Sequence, residues 1–254
     1  MRVAALYDIH GNLPALEAVL EEIRRTDVHE VIVGGDIVPG PMPRETLVRL
    51  LAFEIPVHFL YGNCEVAALE QMAGRDPAAV PEQYRPDMRW AAQQLKPAYE
   101  RLLAGWPKTL DREIAGLGGV LFCHATPRNE DECFTRLTPV ERLLPIFEGL
   151  DARVVVCGHT HMQFDRMIGQ IRVVNAGSVG MPFGRPGADW LLLGPDIQLR
   201  HTSYDLQQAA ARIRKTEYPG AEEFASRYVL EPPSEEEMLR VFANFELRIE
   251  NAAP

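Results

Sequence analysis

Short apolar runs alternate with amphipathic stretches through the first 65 residues. The run VAALY (3–7) gives way to LPALEAVLEEIRR (13–25), where Leu13, Leu16, Val19, Leu20 and Ile23 recur at helical spacing. Asn12 is placed to cap that helix, and Pro14 suits its first turn. EVIVGGD (30–36) reads as a second strand, RETLVRLLAF (44–53) as a second helix and IPVHFLYGN (55–63) as a third strand. A βαβαβ series of this kind predicts parallel strands joined by helical crossovers.

Residues 66–118 break the rhythm. They combine helix-forming segments with prolines at 77, 81, 86, 97 and 107 and carry Tyr84, Trp90, Tyr99 and Trp106. The pattern predicts a mostly helical, cap-like insertion. Strands then resume at GGVLFCH (118–124), ARVVVCGH (152–159), IRVVNAG (171–177), WLLLG (190–194) and IQLRHTSY (197–204). Thr138 and Glu141 have capping-box spacing and predict a helix over 139–149. The late strands follow one another without long helices, so part of the sheet system is expected to be antiparallel. Over 205–254 the chain reads as a helical extension. Asp205 and Gln208 cap one helix, and Ser234 and Glu237 a last one with Met238, Phe242, Phe245 and Ile249 on one face. No internal repeat or low-complexity linker divides the 254 residues, so a single α/β domain is expected: two mixed sheets flanked by helices, with an insertion and a C-terminal extension.

Composition narrows the partners. The net charge of −10 argues against general coating of nucleic acid or of an anionic membrane, although a metal or local basic pocket can still receive a phosphate. Residues 217–254 hold nine acidic and three basic side chains, the pattern of a solvated helix face. Cys64, Cys123, Cys133 and Cys157 show no C-x-x-C spacing, so neither a zinc ribbon nor a thioredoxin-like motif is expected. There is no secretory signal pattern and no apolar run near the ~20 residues that span a bilayer, so the cytoplasm is the expected compartment.

The strand ends carry the candidate chemistry. Five apolar runs end in Asp8-Ile9-His10, Gly35-Asp36, Gly62-Asn63, His124 and Gly158-His159-Thr160-His161. Four of the seven histidines therefore fall beside two aspartates and an asparagine at equivalent positions. In an extended segment alternate side chains share a face, which predicts that Asp8/His10 and His159/His161 each present two ligands to one side. Ligands at the carboxyl ends of several strands converge on one crevice. His29, His58 and His201 lack such company and read as surface or packing residues. Other metal motifs fit poorly: H-x-H-x-D-H fails at Met162, Gln163 and Phe164, H-E-x-x-H is absent, and an amidohydrolase would open with a histidine pair.

The ordered series Asp8-x-His10, Gly35-Asp36, Gly62-Asn63, His124 and Gly158-His159-x-His161 resembles the calcineurin-like metallophosphoesterases, and VVNAGSVG (173–180) is similar to the segment after their last metal block. The resemblance spans roughly residues 1–204 and points to the small bacterial and archaeal phosphodiesterase branch. It implies that Asp8, His10, Asp36 and His161 hold one divalent ion and that Asp36, Asn63, His124 and His159 hold a second, with Asp36 bridging. Asp36, Asn63 and His124 are then also the candidate catalytic positions. Two such ions ~3.5–4 Å apart can share a hydroxide and stabilise in-line displacement at phosphorus without a covalent intermediate. Imidazole and carboxylate donors suit manganese, iron, cobalt, nickel or zinc better than calcium, with manganese the leading expectation.

Candidate substrate contacts are Asn12, where a helix begins, and Arg128, four residues past His124. Gly177 and Ser178 read as parts of a tight turn near the metals. Many superfamily members have Gly-Asn-His where this chain has Gly-Asn-Cys64; that histidine assists departure of the alkoxide, so no dedicated acid is evident here. The expected substrate is a small phosphodiester or phosphomonoester. A nucleotide or dinucleoside-polyphosphate hydrolase and a protein phosphatase are alternatives within the same chemistry. A non-catalytic scaffold, the role a retromer subunit gives this fold, is the rival from another class. Tyr84, Trp90 and Tyr99 are candidates to stack on a base, and Arg85, Arg89 and Lys96 to meet phosphates.

Overall fold

The computed structural model describes residues 1–78, 80–95 and 97–246; the expectations for Lys96 and Ile249 lie outside them. In chain order the elements are β1 (Val3–Leu6), α1 (Leu13–Arg24), β2 (Glu30–Val33), α2 (Pro43–Leu51), β3 (Val57–Phe59), α3 (Asn63–Met72), α4 (Arg85–Gln94), α5 (Pro97–Ala104), β4 (Thr109–Ile114) and β5 (Gly118–Cys123). There follow α6 (Val140–Phe147), β6 (Val154–Cys157), β7 (Phe164–Ile168), β8 (Ile171–Asn175), β9 (Ala188–Leu193), β10 (Ile197–Thr202), α7 (Leu206–Ile213), the short α8 (Ala221–Glu223) continuing as a π-helix (Phe224–Leu230), and α9 (Glu235–Glu246).

The strands form two five-stranded sheets, ordered β10-β9-β1-β2-β3 and β4-β5-β6-β8-β7. Both are mixed. β1 runs parallel to β2 and antiparallel to β9, while β6 lies parallel between β5 and β8. The period-two rule shows directly in β1, which is buried on both faces. Val3 and Ala5 face the other sheet, among Val120, Phe122, Val154 and Val174. Ala4 and Leu6 face the helices, among Leu16 and Leu20 of α1 and Leu47 and Leu50 of α2. On the far side of the second sheet, Leu143, Ile146 and Phe147 of α6 cover Leu121, Val155 and Val173. The result is the expected helix–sheet–sheet–helix layering. Each fully buried aliphatic side chain stabilises it by about 1.5–3 kcal/mol.

Two strands were not legible in the hydrophobic pattern, and both are edges of the second sheet. β4 falls inside the stretch expected to be a helical insertion, whose helices end at Ala104. Its sequence TLDREI buries only Ile114, and β7, FDRMI, buries only its two ends. An edge strand with one covered flank and a wet face needs few apolar residues, so its period-two signal is weak. The expected helix over 139–149 is shorter, Val140–Phe147, with Pro139 at its N-cap. The caps at Asn12, Asp205 and Ser234 form: each side-chain oxygen accepts a backbone N–H three residues on, from Ala15 at 3.2 Å, Gln208 at 2.9 Å and Glu237 at 3.2 Å.

Candidate metal centre

Seven side chains from both sheets meet at the carboxyl ends of the strands. Asp8 and His10 follow β1, Asp36 follows β2, and Asn63 opens α3. His124 directly follows β5, and His159 and His161 follow β6. Asp8, His10, Asp36, His124 and His161 are buried. The Asp8 Oδ1 to His161 Nε2 distance is 3.3 Å, Asp36 Oδ1 lies 3.6 Å from His124 Nε2, and Asn63 Oδ1 lies 3.0 Å from the same nitrogen. Ligand atoms of Asp8, His10 and His161 fall within 4.8 Å of one another, as do those of Asp36, His124 and His159.

The convergence does not come from strand pleating. β1 ends at Leu6 and β6 at Cys157, so neither expected pair lies in a strand. Among the described residues, the non-glycine positions with positive φ are Asp8 (53°), His10 (47°), Asp36 (55°), His159 (68°) and His161 (57°). All five are candidate ligands. Left-handed backbone costs an L-residue about 1–3 kcal/mol, and such strain concentrates at functional sites. Sharp left-handed steps, rather than alternation, turn each pair toward the crevice. Two motif glycines make the approach possible. A Cβ on Gly62 would lie 2.2 Å from Asp36 Oδ1, and one on Gly158 would lie 2.4 Å from Asp8 Oδ2.

The surroundings aim the ligand atoms inward. His124 Nδ1 is 2.8 Å from the Gly34 carbonyl and His161 Nδ1 is 3.0 Å from the Met181 carbonyl, so each ring donates there and turns a bare Nε2 to the centre. Asp8 Oδ2 accepts the His159 N–H at 2.8 Å and Asp36 Oδ1 accepts the Cys64 N–H at 2.9 Å. Ser178 Oγ donates to the Asp8 carbonyl at 2.7 Å and accepts the Met181 N–H at 2.8 Å, which gives Ser178 the turn role expected of it. Asp8 Oδ1 is buried without any hydrogen-bond partner. An unpaired carboxylate oxygen facing imidazole nitrogens is costly unless a cation sits between them.

Ionisation follows the same logic. Burial holds His10 and His159 down at about 4, with the neighbouring histidines His161 and His124 adding to it, so both rings are neutral near pH 7. Burial alone would raise the Asp8 carboxyl, but the electrostatic pull of the His161, His124 and His10 imidazoles around it outweighs burial and holds Asp8 below the usual carboxylate range. Neutral imidazoles and ionised carboxylates are the forms that bind metal. Burial, followed by the Asp36 charge, pushes the Cys64 thiol well up, so Cys64 is no thiolate nucleophile.

The two expected substrate contacts are placed otherwise. Asn12 is fully buried; its Oδ1 caps α1 and its Nδ2 donates to the Gly180 carbonyl at 2.8 Å. It joins the β1 loop to the segment after β8 and has no face toward a substrate. Arg128 donates its Nε to Glu132 Oε1 at 2.7 Å and does not line the cavities at the centre. Trp90 packs edge-on against Tyr218, Tyr99 packs on the core, and Arg89 pairs with Asp76, leaving Tyr84 and Arg85 as the members of that group at the cavities. His29, His58 and His201 lie elsewhere, as expected, against Arg2, Glu30 and Asp189.

One residue passed over in the sequence proves central. Glu65 is fully buried and accepts four backbone N–H groups: Asp36 at 2.7 Å and Gly62 at 2.8 Å on Oε2, Ile37 at 2.8 Å and Val38 at 3.2 Å on Oε1. It ties the Asp36 loop to the start of α3, which carries Asn63. Burial and the Asp36 charge push its carboxyl up to about 7, while the four donors favour the ionised form. The signal was its place three residues after Gly62, the spacing at which a helix-N3 glutamate reaches back to the N-cap.

Fold and site together define a metallophosphoesterase. A model of the calcineurin-like phosphoesterase superfamily domain matches residues 1–194, and the chain belongs to that superfamily. It is 27% identical over 206 residues to the phosphodiesterase YfcE of Escherichia coli, covering 78% of this chain and 89% of that protein. It is 25% identical over 240 residues to the uncharacterized protein MJ0912 of Methanocaldococcus jannaschii, covering 85% and 93%. A metallophosphoesterase structure from Sphaerobacter thermophilus superposes with a TM-score of 0.69 at 25% identity, covering 90% of this chain and 98% of that one. The hypothetical protein PH1004 of Pyrococcus horikoshii shares the fold at a TM-score of 0.75 and 22% identity, covering 92% and 99%. No described helix is long and apolar enough to cross a membrane.

Proposed function

We propose that the chain hydrolyses small phosphodiesters at a dinuclear centre, with manganese the first metal to test. Asp8, His10, His161 and Asp36 would hold one ion; Asp36, Asn63, His124 and His159 the other. The observation that carries this reading is the coincidence of the strained backbone with the candidate ligands. A fold keeps five left-handed non-glycine residues in one crevice when their side chains do something together. The bound ions supply Lewis acidity toward a phosphoryl oxygen and an acidified water as the nucleophile.

The chain's own residues set the rest. Asp36 stands between the two clusters, and its Oδ1 is oriented by the Cys64 N–H. Asn63 contributes a neutral oxygen, which leaves the centre with positive charge for a phosphate anion. Gln163 ties the segment behind the histidines, donating to the carbonyls of Ala176, Trp190 and Arg200 at 3.1–3.2 Å. The phosphodiesterase relative YfcE favours the diester over the nucleotide and protein-phosphatase alternatives. Manganese uptake measured by elemental analysis, together with release of 4-nitrophenol from bis(4-nitrophenyl) phosphate, tests the proposal. Bound metal without turnover of any phosphate ester would favour the scaffold alternative.

Two results are expected of the reaction itself. With no imidazole acid at position 64, the rate follows the leaving group: an alkyl ester is slower than its 4-nitrophenyl counterpart by far more than the ~10²–10⁴-fold a positioned acid would recover. A flat rate across aryl and alkyl esters of graded acidity would sink this account. Cys64→Ala retains activity within about threefold, because a thiol held neutral by burial is a poor proton donor at neutral pH. Complete loss with both metals retained would show Cys64 to be catalytic.

A further inference from the structure

The centre opens into two adjoining cavities, one of them walled largely by aromatic rings. One, of ≈380 Å³, reaches from His10, Asp36, Asn63, His159 and His161 outward between α4 and the C-terminal helices. Its outer wall is Tyr84, Met88, Tyr218, Phe224, Tyr228 and Phe242. The charged groups along that wall are Asp87, Asp131 and Glu223, and among the described residues no lysine or arginine lines it. Asp87 is held by the Tyr218 hydroxyl, which donates to it, and Asp87 and Glu223 lie close enough to feel each other's charge. The second cavity, of ≈570 Å³, meets the first at Asn63, His159, Val80, Pro81, Asp131 and Phe242; it has fewer aromatic rings and carries Arg85 together with Glu82 and Glu132.

We infer that the enzyme selects phosphodiesters with one apolar, uncharged ester arm, seated in the aromatic cavity, and disfavours substrates that carry a further anion on that arm. This rests on the phosphodiesterase reading above and specifies its substrate class. A phosphodiester has a single negative charge, which the metal centre neutralises, and two arms, which match two cavities leaving one point. An aromatic or alkyl arm removes apolar surface from water against five aromatic rings. A second phosphate or a carboxylate at the outer end of that arm would face Asp87 and Glu223 with no described lysine or arginine on the wall to offset it, in a partly enclosed space where Coulomb repulsion is strong. Nucleoside polyphosphates are therefore poor candidates. Tyr84, on the insertion side, and Phe242, on the C-terminal extension, give both embellishments a part in this selection.

Direct titration of the manganese-loaded protein with three diesters tests the inference: dimethyl phosphate, methyl phenyl phosphate and methyl 4-carboxyphenyl phosphate. The phenyl ester is expected to bind about tenfold or more tighter than the dimethyl ester, and the ring carboxylate to abolish that gain. Tyr84 is exposed, so Tyr84→Ala keeps the fold; it should shrink the phenyl advantage. Asp87→Asn, which can still accept from the Tyr218 hydroxyl, should narrow the gap between the phenyl and carboxyphenyl esters several-fold. Equal affinities for the dimethyl and phenyl esters, or a carboxyphenyl ester that binds as well as the phenyl one, overturn the inference. If bis(4-nitrophenyl) phosphate is turned over in that case, only the cavity assignment fails. A protein that neither takes up manganese nor hydrolyses that diester overturns the phosphodiesterase reading and this inference with it.

Discussion

Asp36→Asn is expected to lower kcat/KM for a nitrophenyl diester by roughly 10³-fold, about 4 kcal/mol at the transition state, and to reduce bound manganese from two ions to one or fewer. The substitution is nearly isosteric. Asparagine tolerates the left-handed backbone that Asp36 adopts at φ 55°, and its Oδ1 can still accept the Cys64 N–H. Folding should therefore survive, and an unchanged far-UV circular dichroism spectrum would show that it has. What is lost is the negative charge between the two ligand clusters, where Asp36 lies 3.9 Å from His10 Nε2 through Oδ2 and 3.6 Å from His124 Nε2 through Oδ1. A variant with two ions and near wild-type turnover would remove Asp36 from the centre and the dinuclear proposal with it.

Glu65→Gln is the second large effect, and it acts through the backbone. Each carboxylate oxygen of Glu65 accepts two N–H groups. A glutamine offers one oxygen and one NH₂, so two buried N–H donors would face another donor. An orphaned buried donor costs about 1–3 kcal/mol, which places the loss at about 2–5 kcal/mol and the fall in Tm at roughly 5–15 °C for a chain of this size. The loop carrying Asp36 and the helix start carrying Asn63 lose their common tie, so metal affinity and turnover should fall together. Thermal unfolding with and without manganese measures both. An unshifted Tm with full activity would show that the four hydrogen bonds carry no weight.

Much of this site was legible because its chemistry is placed by local rules. An apolar run that stops at a buried sheet edge must hand over to residues that can live there, and an aspartate, histidine or asparagine at five successive stops is hard to explain except by a shared ligand. The helix caps at Asn12, Asp205 and Ser234 were equally local. The two edge strands escaped because partial exposure dilutes their pattern. Arg128 suited a phosphate by type, yet Glu132 four residues on takes its guanidinium. Asn12 was correctly placed at a helix start, but the residue that fills a cap has no group left for a substrate.

By itself the sequence determined the order of all elements but the two edge strands, the superfamily and the seven polar residues that follow its apolar runs, since each run and the residues that close it lie within a few positions of one another. Only the tertiary structure decided how those residues meet. Asp8 and His161 are brought together across two sheets, and left-handed steps outside the strands, not strand alternation, aim them. Glu65 became important through loops that pack against it, and the aromatic cavity through residues near positions 84, 218 and 242 that share a wall. Such contacts arise from long-range packing, in which burial and steric fit select among conformations that short-range propensity leaves open.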